Sequence, residues 1–267
     1  VDILFSINGE LKDNRQISTP HSGFNDRILN VKAMWESSEL ASIDLIVKGD
    51  STKGTSSSPI KEWDTLKEAV ARKISEIYID GTLIANSKID IDYDCHIINN
   101  LNGSTILTDE NFNAECIFNV SGGNLTLKGE SWYPIEIKDV ERNVPNIFNL
   151  INISENKKLT MENVNISNCN YNYPGIIVEN GSIELNNCSF VNNNLPTVIT
   201  IQNSTEENKI NNCNFDSADN SNDLINYDLY IATANKFTIS STNFEEKENV
   251  INVKVQNCNE LVLQGDV

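Results

Sequence analysis

A six-residue phrase returns four times in the second half of this 267-residue chain. It reads Met161-Glu-Asn-Val-Asn-Ile166, Leu185-Asn-Asn-Cys-Ser-Phe190, Ile210-Asn-Asn-Cys-Asn-Phe215 and Ile239-Ser-Ser-Thr-Asn-Phe244, with steps of 24, 25 and 29 residues. A period of that length, strand-like and without a helical pattern inside it, belongs to a β-solenoid, where each repeat is buried by its neighbours. Positions one, four and six of the phrase can pack inward. The middle pair is Asn-Asn twice and Ser-Ser once, which are turn residues. Each phrase therefore reads as a strand end, a sharp bend and a strand start. Apolar runs such as Ile147-Phe-Asn-Leu-Ile-Asn-Ile153, Val198-Ile-Thr-Ile201 and Val250-Ile-Asn-Val-Lys-Val255 alternate with the phrases, as a coil of two or three strands per turn requires.

Stacked coils place equivalent residues about 4.8 Å apart. Inward ladders are then expected of Val164, Cys188, Cys213 and Thr242, and of Ile166, Phe190, Phe215 and Phe244. Asn163, Asn187 and Asn212 are expected to stack at the bend, their amides bonding to the turns above and below. Less regular units reach back through Leu125–Gly129 and residues 117–120 to residues 77–81, 88–92 and 96–99, the last three read as one first coil. About seven coils result, roughly 35 Å of stack. Between Leu127 and Met161 the step lengthens to 34, so residues 131–145 are expected to leave the coil as a loop.

Residues 1–48 break the repeat and read as a separate β element or the end of a preceding domain, with alternating runs at residues 3–7 and 43–47. Residues 49–74 form a loop and a helix, and residues 75–267 the coil. The helix carries Leu66, Ala69, Val70 and Ile74 on one face, with Asp64 as its expected N-cap. Its task is to cover the first coil, because an open solenoid end exposes core and unpaired strand edges. No equivalent cap is legible after residue 261, so the last coil is expected to be exposed or covered by a partner, including a second copy of the chain.

Net charge is −18, which argues against nucleic acid and against an anionic membrane surface, since phosphate contacts need clustered Lys and Arg. No apolar run is long enough to span a membrane. Six cysteines occur without a C-x-x-C pair, and Cys188 and Cys213 share a repeat position, so they read as small apolar ladder residues. Asp90, Asp92 and Asp94 alternate with Ile89, Ile91 and Tyr93 and are expected on one outward face. They are the candidate Ca²⁺ ligands, though the EF-hand spacing of Gly and Glu is missing; no other cofactor is indicated.

The stretch from Ile46-Val-Lys-Gly through Gly54-Thr-Ser-Ser-Ser-Pro59, Trp63, Leu66-Lys-Glu-Ala69 and Ile77-Tyr-Ile-Asp-Gly-Thr82 resembles the opening of right-handed parallel β-helix proteins of the pectin-lyase-like superfamily. Asn187-Cys-Ser-Phe-Val-Asn-Asn193 is similar to coils of bacterial surface and autotransporter-type β-helices. The resemblance implies an all-β, right-handed parallel β-helix and a secreted or cell-surface setting. Relatives of this fold include polysaccharide lyases and glycoside hydrolases. A lyase needs an Arg or Lys base beside calcium-binding carboxylates, and Arg142 is the one arginine within the coils. The hydrolase motifs of clustered aspartates with a glycine-flanked histidine are absent, and the two histidines are His21 and His96. The expectation is a non-catalytic, adhesin-like interaction protein, with a carbohydrate-active enzyme as the alternative. Trp132 and Tyr133, in the loop, are the candidate contacts for a protein or carbohydrate ligand.

Overall fold

The structure, a computed structural model, describes residues 4–7, 10–12, 24, 27–35, 38–47, 52–141, 147–218 and 226–265. Two units divide at Lys53 and Gly54. The first holds a four-stranded antiparallel sheet ordered Glu10–Lys12, Leu4–Ile7, Arg27–Trp35 and Ser38–Val47, the last two paired as a hairpin over most of their length. His21 and Arg142 lie outside the described residues.

The second unit is a right-handed parallel β-helix. Three faces recur in every full coil. Face A is built by Leu125–Lys128, Lys158–Glu162, Ser182–Asn186, Ser204–Asn211, Ala234–Ser240 and Cys258–Gln264. Face B carries Ile135–Lys138, Val164–Ser167, Ser189–Val191, Asn214–Asp216 and Asn243–Phe244. Face C runs from Ile89–Ile91 through Cys116–Val120, Asn149–Ile153, Ile176–Glu179, Thr197–Gln202 and Asn226–Ile231 to Val250–Val255. Glu76–Ala85 and Cys95–Thr108 each cross from face A to face B without a break. Residues 96–99, read with the first coil, instead pair with residues 76–79 from the layer above and open the second.

The register explains the packing. On face A, Ile77, Ile97, Leu127, Met161, Leu185, Ile210 and Ile239 form one buried column. On face B, Leu83, Ile106, Ile137, Ile166, Phe190 and Phe215 form another, continued by the half-buried Phe244 and ending in three parallel rings with centroids 4.6 and 4.9 Å apart. The neighbouring column holds Val164, Cys188, Cys213 and Thr242, all buried. Cys95, Cys116, Cys169, Cys188 and Cys213 are buried free thiols, and Cys258 is half-buried. Between faces B and C the connections add a side cluster in which Phe112, Phe148 and Tyr171 meet edge to face.

The bend between faces A and B needs one residue in the left-handed region, where a side chain costs about 1–2 kcal/mol unless it is Gly or a locally bonding Asn. Gly81 and Gly103 (φ +74° and +81°) supply it in the first two coils, Asn163, Asn187, Asn212 and Ser241 (φ 46–53°) in the fourth to seventh, and Gly265 (φ +70°) after the last face A strand. Asn212 donates to the Asn187 side chain at 2.6 Å, while Asn163 donates to the Gly129 carbonyl at 3.0 Å, so the ladder has two asparagines in contact and not three. A second row, absent from the expected ladders, follows face B: Asn192 donates to Asn168, and Asn168 to Asp139, each of the three with positive φ. Gly123 serves a different need. A Cβ there would lie 1.9 Å from the Tyr93 carbonyl carbon, so two successive turns touch through backbone.

The helix spans Trp63–Ala71 and buries Trp63, Leu66, Ala69 and Val70. Its N-cap is Glu62, which makes no side-chain capping bond, and Asp64 sits inside the first turn accepting from Asn86 at 3.0 Å. Asp64 is therefore not the cap, and Ile74 lies beyond the helix end. The covering role is real: Trp63 donates to the Ser87 carbonyl at 2.8 Å and its ring meets Phe118. The preceding segment bonds the free strand edge, through Ile60 N–H to the Tyr78 carbonyl and Asp80 N–H to the Ile60 carbonyl. At the opposite end the column residue Leu263 is 58% exposed, and Ile251, Val255 and Leu261 are exposed with it.

Candidate functional site

The lengthened third coil does not leave the stack as a long loop. Leu127 pairs with Met161 as the repeat requires, and Ile135–Lys138 is a face B strand paired on both sides. The expected loop over residues 131–145 is thus corrected over residues 131–138 to a tight turn and a strand, the turn closed by reciprocal Glu130 and Tyr133 backbone bonds of 3.0 and 2.9 Å, while residues 142–145 lie outside the described residues. The reason is the apolar alternation of Ile135 and Ile137, which fills two inward columns and holds the chain in the coil.

That turn projects from the A–B corner, where the fourth to seventh coils spend one residue and the second coil spends residues 99–103. It is fixed from beneath. Asn99, 3% exposed, donates to the Tyr133 carbonyl at 2.6 Å and accepts from Ser104 Oγ at 2.5 Å. Gly129 N–H and Ile135 N–H bond the next coil at Glu162 and Asn163. The consequence is an aromatic pair on a rigid support: Trp132 is 89% and Tyr133 47% exposed.

Beside the turn lies a groove of about 390 Å³ crossing the first three coils. Trp132, Tyr133 and Pro134 form one wall. Thr82, Asn102 and Thr105 line the rest, with Glu136 next to them on the outer face of B. Glu136 accepts from Lys138 Nζ at 2.6 Å and from Thr105 Oγ1 at 3.3 Å, and that hydrogen bond holds the Lys138 ammonium above its ordinary range. The arrangement places an exposed apolar ring beside hydroxyl, amide and carboxylate groups. Of its residues, Trp132 and Tyr133 were legible from sequence. Asn99, Thr82, Thr105 and Glu136 carry no spacing signal, because they meet only when three coils stack.

A second groove, of about 520 Å³, lies at the C–A corner of the late coils and is lined by Asn203, Thr205, Thr233, Asn235, Asn257 and Asn259. Asn259 donates to Asn235 there at 3.1 Å.

The three candidate metal ligands are not brought together. The strand ends at Ile91, so Asp92 and Asp94 fall in the following turn. Asp90 pairs with Lys88 at 3.2 Å and accepts from Asn119, Asp92 pairs with Lys73 at 3.2 Å, and Asp94 accepts two bonds from Asn124. Among the described residues no three His, Cys, Asp or Glu side chains are grouped as metal ligands would be.

Three further outward acids are paired in the same way. Glu184 pairs with Lys158 at 2.5 Å and Glu207 with Lys209 at 3.0 Å, and Glu115 with Lys88 at 2.6 Å. These hydrogen bonds hold all three carboxyls below their ordinary range. His96 is exposed in an outward row between Glu76 and Thr126. Among the described residues no helix is long and apolar enough to cross a membrane. No family model matches the chain, and no curated protein matches it, so what places it among known architectures is the parallel β-helix itself.

Proposed function

We propose that this chain is a non-catalytic β-helix of the pectin-lyase-like type, exported or displayed at a cell surface, which acts by binding through the groove beside Trp132. The observation that carries this reading is an indole 89% exposed on a turn locked by the buried Asn99. Exposed aromatics on rigid supports are the usual anchors of binding surfaces. The electrostatics favour binding over chemistry. A general acid needs a carboxyl raised toward the working pH, whereas Glu115, Glu184 and Glu207 are held ionised by lysines. Asp228 is raised, but it is fully buried under Ser217 and out of reach of a polymer.

The test immobilises the full chain against a panel of polysaccharides and extracellular-matrix proteins. Binding that is lost in Trp132→Ala at unchanged melting temperature supports the reading. Release of reducing ends or of ultraviolet-absorbing unsaturated products during the same incubations overturns it in favour of an enzyme. Binding that persists undiminished in Trp132→Ala removes the groove from it.

A further inference from the structure

The chemistry of the same groove selects a ligand class, an inference that rests on its being a binding surface. We infer that it takes a short segment of uncharged oligosaccharide, one sugar ring lying on the Trp132 indole with its hydroxyls turned toward Thr82, Thr105, Asn102 and Glu136. Three features of the groove point there.

The groove draws its apolar and its polar groups from different segments of the coil. A protein hot spot is a desolvated apolar centre ringed by polar groups. Here the apolar groups come from the corner turn of Trp132 to Pro134, and the hydroxyl and carboxylate groups from the face B row of Thr82, Thr105 and Glu136, with the Asn102 amide beside them. A pyranose has the matching build, with a C–H face that lies on an electron-rich ring and an edge of hydroxyls that both donate and accept. Threonine hydroxyls and an Asn amide supply both senses of hydrogen bond, and Glu136 supplies acceptor capacity beyond what Lys138 and Thr105 occupy.

Charge excludes the polyanionic alternatives. The formal charge within the lining comes from Glu136, and the chain as a whole carries −18. Lys138, the nearest cation bonded to that carboxylate, is already paired at 2.6 Å and is therefore not free to receive a uronate or sulfate.

Size and rigidity agree. About 390 Å³ lies toward the small end of the roughly 300–1,000 Å³ typical of small-ligand sites. Gly81 and Gly103 add no side chain to the lining at the first two corners. The turn carrying Trp132 is clamped by Asn99 and by the coil above, so binding does not have to order it.

The experiment titrates the full chain calorimetrically with hexasaccharides of β-linked glucose, mannose and xylose, and in parallel with hexagalacturonate and a heparin hexasaccharide. The variants are Trp132→Ala and Thr105→Val, whose fold is checked by melting temperature. At least one neutral hexasaccharide is expected to bind with an affinity that changes less than twofold between about 0.05 and 0.5 M salt, because no ion pair forms. Trp132→Ala is expected to weaken it at least tenfold and Thr105→Val several-fold. Tighter binding of either polyanion, or a steep salt dependence, overturns the uncharged ligand while leaving the groove as a binding surface. A protein ligand whose affinity collapses in Trp132→Ala, with none of the sugars binding, overturns the sugar and keeps the surface. Turnover of any probe instead overturns the proposed function.

Discussion

The ring stack on face B allows a quantitative test of how a solenoid distributes its stability. Phe215 is fully buried, lying at 4.6 Å and 11° on Phe190 and at 4.9 Å and 12° on Phe244. Truncating a buried Phe to Ala costs about 3–5 kcal/mol through lost transfer energy and the cavity left behind. Stacked aromatic pairs contribute about 0.5–1.5 kcal/mol beyond area. Phe215→Ala loses two such contacts in a column that cannot collapse without shifting both neighbouring coils, so its cost is expected at about 4–5 kcal/mol. Phe244 occupies the same column one coil later, is half-buried and touches one ring. Partial burial and a single contact reduce its expected cost to about 1–2 kcal/mol. Phe215→Leu refills part of the space and is expected to recover at least half of the alanine loss. Urea unfolding followed by far-ultraviolet circular dichroism measures all three, and native-state hydrogen exchange of the flanking strands shows whether the loss is local, as nearest-neighbour energetics demands. Equal costs for Phe215→Ala and Phe244→Ala would refute the reasoning, since they would mean that the last coil is as enclosed as the one before it.

Three further outcomes follow from individual groups. Asp228 is fully buried, accepts from Ser217, and has a second oxygen that meets no donor among the described residues. Burial pushes its carboxyl from the ordinary 3.8 up to about 6, so folding favours the protonated form. That contribution is complete below pH ~3.8 and is lost as pH rises through about 6, on the order of 3 kcal/mol in all. Asp228→Asn is expected to raise the melting temperature at pH 7.5 and leave it nearly unchanged at pH 4; an equal effect at both values would contradict the buried charge. Asn187 sits at φ +53° and accepts from Asn212, so Asn187→Ala is expected to cost about 1–2 kcal/mol and Asn187→Gly roughly half of that in thermal unfolding. Equal losses in the two variants would remove the conformational argument. Burial also pushes the Cys116 and Cys169 thiols up to about 12, and with five of six cysteines buried, a disulfide-exchange reagent is expected to titrate about one thiol, Cys258, in the native protein. Rapid reaction of three or more would show that the core columns open readily.

The legible parts of this molecule are those set by local period. Because equivalent residues recur every 24 to 29 positions, the columns through Val164, Cys188 and Cys213 and through Ile166, Phe190 and Phe215 could be named in order, and the register bears them out. The helix was visible for the same reason, its apolar spacing being local, although capping geometry shifted its ends: Glu62 took the place expected of Asp64, which bonds Asn86. The carboxylates differ: all three are exposed as alternation suggests, but each is bonded to a partner of its own. Alternation predicts a shared face for Asp90, Asp92 and Asp94 only while the strand continues, and it stops at Ile91, where Gly122 and Gly123 bring the next turn against the backbone.

The candidate site marks the boundary most clearly. From sequence, the step of 34 residues showed that something extra was inserted, and Trp132 and Tyr133 showed that it carried aromatic surface. Alternation in a segment as short as Ile135–Lys138 could not compete on the page with a loop, yet in three dimensions its two isoleucines find columns already built above and below. By itself, then, the amino-acid order determined a parallel coil, its period and its inward residues, because those depend on patterning that each repeat restates. Only tertiary stacking decided where the inserted turn stands, that Asn99 supports it from another strand, and that Thr82, Thr105 and Glu136 meet beside it, because residues more than twenty positions apart become neighbours solely through the rise of one coil on the next.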